Sequence, residues 1–275
     1  MGRLPRVREL IAWTSDVNAV DTRGFAPLHF ACIEGHLEVA HELLARGAKI
    51  EAKCKYGNTA LHLASLSGHA AVVRLLLDAG AQIEAKGNGD ATPLFCASQE
   101  GRLEVVRLLL ERGAVVGKHI SNSFTSLIIA SQRGHLAVVH ELIARGADVS
   151  ARTIIGFTAL HQASWGGHGE VVRELLARGA AINAQADNGS TPLINASGAG
   201  QLAAATLLLD AGADLVLLGN AGDSALQWAE RRVLRDAAPP SAGAEPPTAA
   251  QVAEHKALVA LLKAQGGEEE EEEEE

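Results

Sequence analysis

Hydrophobic and polar positions recur along the chain with a fixed period of 33 residues. A hydroxyl or alanine residue opens each unit, a leucine follows two residues later, and an alanine follows five residues later. The opening positions, called anchors below, are Ala26, Thr59, Thr92, Thr125, Thr158, Thr191 and Ser224. A repeat of this length predicts stacked units, because one unit cannot bury its apolar face without its neighbours.

Each unit is predicted to form two helices and an extended finger. Threonine at an anchor is a favourable N-cap, and Pro93 and Pro192 occupy the first helical position, where a missing N–H costs nothing. A glycine nine residues after the anchor, such as Gly68, ends this short first helix. The next run, such as 69–77, has apolar residues at helical spacing and predicts a longer second helix. A Gly-Ala pair closes that helix and leads into the finger.

These motifs resemble those of ankyrin repeats. The resemblance rests on Thr92-Pro-Leu and Thr59-Ala-Leu-His62, with Gly-His and Leu-Leu-Leu followed by Gly-Ala at fixed offsets, and it covers residues 7–236. It implies an all-α ankyrin-repeat solenoid of stacked antiparallel helix pairs with projecting β-hairpin-like fingers. In that family the concave face of fingers and first helices binds proteins.

The repeat pattern also predicts the boundaries along the chain. Residues 1–23 are expected to form an N-terminal capping half-repeat, residues 24–223 six repeats, and residues 224–266 a divergent C-terminal repeat. The last repeat contains a Pro/Ala-rich insertion at 237–248, which is loop chemistry, and its final threonine is a suitable cap for the returning helix. A glycine pair then precedes residues 267–275, which we expect to be a disordered polyglutamate tail because like charges repel.

Composition narrows the functional classes. The net charge is −9, but eight of the 33 acidic residues lie in Glu268–Glu275, so the rest of the chain is nearly neutral. This balance argues against nucleic-acid binding, which requires a strongly basic face. Cys32, Cys54 and Cys96 have neither a disulfide framework nor metal-ligand spacing. Without a secretory signal or a long apolar run, the sequence predicts a soluble monomer in the cytoplasm or nucleus, with no membrane insertion.

The eleven histidines do not predict a catalytic or metal site. Seven of them recur at two repeat positions, and the resemblance implies that they hydrogen-bond to backbone between units: His29, His62 and His161, and His36, His69, His135 and His168. No cluster has ligand spacing, no phosphate-binding loop follows a strand, and no nucleophile has a recognisable local context. We therefore expect no metal, no cofactor and no enzymatic activity.

Positions that vary between units are free to encode a partner. The candidate partner-binding residues are Phe25, Ile33, Tyr56, Leu66, Gln99, Phe124, Gln132, Arg133, Ile154, Ile155, Phe157, Trp165, Lys53, Lys86 and Arg152. Ile154, Ile155, Phe157 and Trp165 come from one unit and should project toward one groove, where exposed apolar clusters mark interaction sites. The alternative is that these side chains fold back onto neighbouring fingers.

Basic residues recur at one finger position. Lys53, Lys86, His119 and Arg152, called the basic row below, should follow the edge of the groove and suit an acidic partner with apolar anchors. An ordinary solvated face is the alternative. The polyglutamate tail is expected either to compete for the basic row or simply to keep the protein soluble.

The leading functional prediction is a non-catalytic scaffold or adaptor that binds a partner protein through the concave groove. The alternatives are a regulatory or inhibitory subunit that occludes a partner enzyme or transcription regulator, and a structural anchor for a membrane protein. Asn18 and Asn183 resemble asparagines that are hydroxylated in some ankyrin repeats.

Overall fold

The computed structural model describes residues 16–237 and 246–272. These residues divide into two compact units. The first unit contains 16–126 and 140–147, and the second contains 127–139, 148–237 and 246–272. The second helix of the predicted N-terminal cap, residues 238–245 of the insertion and residues 273–275 lie outside the described part.

The described residues contain α-helices and no strand, which confirms the all-α prediction for this part of the chain. First helices of the repeats begin one residue after an anchor. They are α1 Pro27–Ile33, α3 Ala60–Ser67, α5 Pro93–Gln99, α7 Ser126–Arg133, α9 Ala159–Gly166, α11 Pro192–Ala199 and α13 Ala225–Ala237. Second helices are α2 Leu37–Ala45, α4 Ala70–Asp78, α6 Leu103–Glu111, α8 Leu136–Ala144, α10 Gly169–Ala177, α12 Leu202–Asp210 and α14 Ala249–Glu272.

Side-chain caps explain where the first helices begin. The hydroxyl of Thr191 accepts the backbone N–H of Ile194 at 3.2 Å, and Thr92 accepts that of Phe95 at 3.2 Å. Each bond satisfies one of the backbone donors that a helix N-terminus leaves unpaired. At the other end of α3, Gly68 has a φ of 91°, a left-handed conformation that glycine adopts without steric cost.

Two layers of helices form the core of each unit. In the first unit α1, α3 and α5 pack side by side, and each also packs against its own second helix. The second unit repeats this arrangement with α9, α11 and α13 in one layer and α10, α12 and α14 in the other. The leucine two residues after the anchor is buried in the helical interface in the first six repeats, as Leu61 and Leu193 show, and is half-buried at Leu226. The alanine five residues after the anchor is also buried, and its small side chain lets neighbouring helices approach closely.

Each finger is a turn closed by backbone hydrogen bonds. The N–H of Cys54 donates to the carbonyl of Asn58 at 3.0 Å, and the N–H of Ala186 donates to that of Ser190 at 2.9 Å. Adjacent fingers are joined as well, since the N–H of Asp187 donates to the carbonyl of Ile155 at 3.2 Å. These bonds close the turns and connect one finger to the next.

The first finger has an aspartate that stabilises its turn, and one later finger has a threonine that makes an equivalent hydrogen bond. The carboxylate of Asp21 accepts the N–H groups of Arg23 and Phe25, both at 2.8 Å. Because later units lack this aspartate, the sequence predicts that their turns lose the contact. That prediction is wrong at Thr153, whose hydroxyl accepts the N–H of Phe157 at 3.0 Å.

The C-terminal repeat departs from the others. Helix α13 continues to Ala237, because Val233 stands where a glycine ends most other first helices. Thr248 caps the returning helix α14 as predicted, with its hydroxyl accepting the N–H of Gln251 at 3.3 Å. The glycine pair at 266–267 does not end α14, which runs to Glu272. A helical glycine costs only about 1 kcal/mol, and glutamate favours helix. The division of the chain into cap, repeats and tail stays a prediction.

Candidate functional site

Two positions of each first helix face the same side of the helical layer. They lie four and seven residues after the anchor, and residues three apart are neighbours on a helix surface. In the second unit these positions hold Gln162 and Trp165 on α9, Asn195 and Gly198 on α11, and Trp228 on α13. The repeat therefore brings side chains of three helices together beside their fingers.

A pocket of about 380 Å³ lies at this face of the second unit. Its lining combines first-helix and finger residues: Gln132, Phe157, Gln162, Trp165, Asn188, Ser190, Ile194, Asn195, Gly198 and Trp228. The side chain of Trp165 is 54% exposed, whereas Trp228 is half-buried. Gly198 lies on the helix between them and adds no side chain to the pocket, and a Cβ atom there would make an ordinary contact of 3.4 Å with the Trp228 ring.

The pocket lining is apolar and amide in character and carries no ionisable side chain. The Nε2 of Gln132 donates to the Oε1 of Gln162 at 3.0 Å, so these two amides are mutually oriented. At the edge, Arg231 pairs with both carboxylate oxygens of Asp223 at 2.7 and 2.8 Å, and its guanidinium lies 5.6 Å from the Trp228 ring centroid. The pairing compensates the charge of the arginine.

The first unit carries a separate aromatic cluster. The ring centroid of Phe25 lies 5.5 Å from that of Phe30 and 6.2 Å from that of Tyr56. Arg23 lies 5.0 Å above the Phe25 ring. Tyr56 is 56% exposed, but Phe25 is half-buried and packs on a neighbouring finger. Phe25 therefore contacts a neighbouring finger, and its role in partner binding stays a prediction.

The structure separates the predicted partner-binding residues into groups. The pocket brings together Gln132, Phe157 and Trp165. Ile154 and Ile155 are exposed at a finger turn but do not line the pocket. The other predicted apolar and polar positions of the helices and fingers are half-buried or exposed outside it: Ile33, Leu66, Gln99, Phe124 and Arg133.

Sequence reasoning missed Trp228, Gln162 and Asn195. The signal was available, because the position four residues after the anchor also changes from unit to unit and shares a helix face with the position at seven.

Side chains of the basic row connect neighbouring fingers. The Nζ of Lys53 donates to the carbonyl of Lys86 at 2.8 Å, and Nη2 of Arg152 donates to that of Gln185 at 2.8 Å. Lys86 lies 3.6 Å from Asp90, and Arg152 lies 3.6 Å from Asp187. These contacts compensate part of the positive charge, and they give Lys53 and Arg152 a structural role between neighbouring repeats.

Three buried histidines each hold a finger to the first helix that precedes it. Nε2 of His62 donates to the carbonyl of Ala91 at 2.9 Å, and Nε2 of His161 donates to that of Ser190 at 3.0 Å. His29 donates instead to the carbonyl of Ala52, which lies earlier in the finger, at 3.0 Å. Burial lowers the pKa of all three imidazoles, to about 4 for His161. The expected hydrogen bonds to backbone are confirmed at these positions.

Histidines at the second repeated position bond to the backbone of the preceding repeat. Nε2 of His69 donates to the carbonyl of Ile33 at 2.9 Å, and that of His168 donates to the carbonyl of Gln132 at 2.9 Å.

Cys32 and Cys96 are not reactive thiols. Burial raises the pKa of both thiols to about 12, so both stay protonated at neutral pH. Within 16–237 and 246–272, no three His, Cys, Asp or Glu side chains are placed to share a metal ion.

Asn18 and Asn183 occupy positions that join successive units. The Oδ1 of Asn18 accepts the N–H of Lys49 at 2.8 Å, and that of Asn183 accepts the N–H of Asp214 at 3.0 Å. Glu51 makes the equivalent contact with Gln82 at 2.8 Å. Hydroxylation of the two asparagines stays a prediction.

Comparison with known proteins identifies the repeat. A family model described as ankyrin repeats (3 copies) matches residues 2–87, 55–120, 84–153, 116–186 and 160–236. The chain belongs to the ankyrin repeat family. No curated protein matches the sequence significantly. Among solved structures, the ankyrin repeat domain of human ASB11 is similar at 29% identity and a TM-score of 0.68, over 79% of this chain and 100% of that domain.

A second similar ankyrin structure is that of Bcl-3, described as a unique member of the IkappaB protein family. It has 31% identity and a TM-score of 0.63, over 74% of this chain and 94% of that one. The ankyrin repeat fold is generally a protein–protein interaction module, and its family is typically non-catalytic. In the described part of this ankyrin chain, no helix is long and apolar enough to cross a membrane.

Proposed function

We propose that this ankyrin protein is a non-catalytic scaffold or adaptor that binds a partner protein through the pocket around Trp165. The observation that carries the proposal is the pocket itself, in which a tryptophan 54% exposed lies beside open space left by a glycine. Large exposed apolar side chains in a concave site are typical of interaction surfaces. Tryptophan is also enriched among residues whose truncation weakens binding most.

Two features of the pocket support binding rather than catalysis. Its lining has no ionisable side chain, so it offers no general acid or base. The buried histidine beside it, His161, is engaged with the backbone carbonyl of Ser190, and burial lowers its pKa. Amide side chains can position a polypeptide by hydrogen bonds while the aromatic rings contact its apolar side chains.

The test is affinity purification with mass spectrometry from the native cell, comparing the wild type with Trp165→Ala. Because this side chain is largely exposed, its truncation should leave the helical content by circular dichroism unchanged. We expect specific proteins to disappear from the variant sample. The matched control is Val216→Ala, which truncates a side chain 70% exposed outside the pocket and should retain those proteins.

The captured proteins then allow the two modes of action to be distinguished. A scaffold brings two captured proteins together, whereas an inhibitory subunit lowers the activity of the one that it binds. If Trp165→Ala retains every partner of the wild type, the pocket is not the binding site and the proposal is wrong.

A further inference from the structure

The pocket between Trp165 and Trp228 has features that select one kind of polypeptide. Resting on the proposed function, we infer that it binds an uncharged, extended, proline-containing segment of the partner. The inference depends on the aromatic rings, the unpaired amides and the absence of charge in the lining. Aromatic-lined sites are the usual receptors for polyproline II segments, which enter them already ordered.

The size of the pocket favours an extended segment over a helix. Its volume of about 380 Å³ is at the small end for ligand sites, whereas a helix with its side chains is roughly 10 Å wide. A helix also satisfies its own backbone groups and would not use the amides of the lining. An extended chain exposes its carbonyl groups along its length and needs donors for them.

The lining supplies such donors. The side-chain amide of Asn195 makes no hydrogen bond to any other described residue, and neither does the Nε2 of Gln162. The indoles of Trp165 and Trp228 each carry one further N–H donor. Proline has a carbonyl acceptor but no N–H, so a proline-containing segment matches a site that is rich in donors.

Charge complementarity excludes acidic and basic segments from the pocket. The lining is neutral, and Arg231 at its edge is paired with Asp223 through its two terminal guanidinium nitrogens. A charged side chain entering this site would lose hydration without gaining an opposite charge. The segment in contact with the two tryptophans should therefore be uncharged, even where its flanks are not.

The experiment is a display selection of short random linear peptides on the full-length protein. Peptides that bind the wild type are screened again on Trp228→Ala and on Gly198→Leu, which fills the pocket instead of emptying it. We expect both variants to weaken pocket-dependent peptides by at least tenfold in fluorescence polarisation. Those peptides should share an uncharged core with proline, and replacing that proline by alanine should weaken binding further.

Folding is controlled by the choice of variants. Gly198→Leu adds a strong helix former to α11, so helix propensity favours the variant, and its melting temperature shows whether this buried position accommodates the leucine. Val216→Ala is the matched surface control and should bind every peptide as the wild type does. Circular dichroism melts of all four proteins establish that they are folded.

Other occupants are outcomes that overturn the inference. Pocket-dependent peptides that are acidic, or that form amphipathic helices, would contradict it, and so would the absence of any pocket-dependent peptide. If cellular partners are lost with Trp165→Ala while the selected peptides are acidic or helical, the proposed function stands and this inference fails. If neither assay depends on the pocket, both are wrong.

Discussion

Lowering the pH should destabilise the second unit through one buried histidine. His161 is fully buried, and its Nδ1 accepts hydrogen bonds from the backbone N–H and the hydroxyl of Thr158 at 3.2 and 2.9 Å. Its Nε2 donates to Ser190. A second ring proton would face the N–H of Thr158 and would put a charge in a buried site. Both effects favour the neutral imidazole in the folded state, and burial is the larger of the two.

The magnitude follows from the shift in pKa. The pKa of His161 falls from 6.5 in the unfolded chain to about 4 in the folded protein. The unfolded state therefore binds more protons below pH 6.5, and the stabilising contribution, complete above that pH, is lost as the pH falls toward 4. Between pH 7.5 and pH 5.0 this histidine should lower the free energy of unfolding by about 2 kcal/mol.

The assay is urea unfolding at both pH values for the wild type and His161→Ile. Isoleucine is suitable because Ile128 and Ile194 occupy the same position in other units. The variant loses hydrogen bonds and is less stable at pH 7.5, but its stability should fall by about 2 kcal/mol less on acidification. Other titrating groups are common to both proteins and cancel. Equal pH dependence in the two proteins would refute the reasoning.

Five further substitutions test packing, hydrogen bonding and charge, each by urea unfolding. Gly198→Ala should raise the free energy of unfolding by roughly 0.5–1 kcal/mol, because glycine is a poor helix former and the added methyl meets the Trp228 ring at an ordinary distance. Ser164→Ala should be neutral or up to about 1 kcal/mol stabilising, since its buried hydroxyl has no hydrogen-bond partner, whereas Ser98→Ala should destabilise by removing a bond of 2.7 Å. Asp236→Ala should destabilise the protein by about 3 kcal/mol, since it leaves the buried His255 of α14 without its carboxylate partner. Glu230→Ala removes an exposed ion pair with Lys263 and should destabilise it by less than about 1 kcal/mol.

The helices could be predicted from the sequence because their signals are local and repeated. An anchor such as Thr158 caps a helix through its own hydroxyl, which accepts the N–H of His161, and through the histidine ring, which accepts the N–H of Thr158. A glycine such as Gly68 ends the helix through its own backbone conformation. These signals act within a few residues, so each unit reports them independently. Where the glycine is missing, at Val233, the helix runs on as its sequence allows.

The pocket could be predicted only in part, because it arises from differences between neighbouring units. Phe157 and Trp165 could be identified as variable and aromatic. Gly198 suggests a weak helix when considered alone, and its effect as open space depends on the tryptophans of the units before and after it. The direction of Ile154 and Ile155 depends on the turn geometry of one finger, which the repeat does not specify.

The basic row shows a different limit of sequence reasoning. A long lysine or arginine side chain can extend into solvent or reach a carbonyl of the next finger, and both choices fit the same sequence. Lys53 and Arg152 reach the carbonyls. At these two positions the contact between fingers accounts for the basic side chain without an acidic partner.

Stability and binding should respond differently to pH, although His161 lies directly beside the pocket. Its ring centroid is 5.4 Å from that of Phe157, and its acceptor Ser190 also lines the pocket. Acid destabilises the protein because the unfolded histidine takes up a proton, while at pH 5.5 only on the order of 3% of the folded protein is protonated at His161. The lining has no other group to titrate. The affinity of a pocket-dependent peptide should therefore stay constant between pH 7.5 and 5.5. Over the same range the urea concentration at the midpoint of unfolding should fall. An affinity that falls in step with stability, in protein still folded by circular dichroism, would mean that folded His161 is protonated in this range.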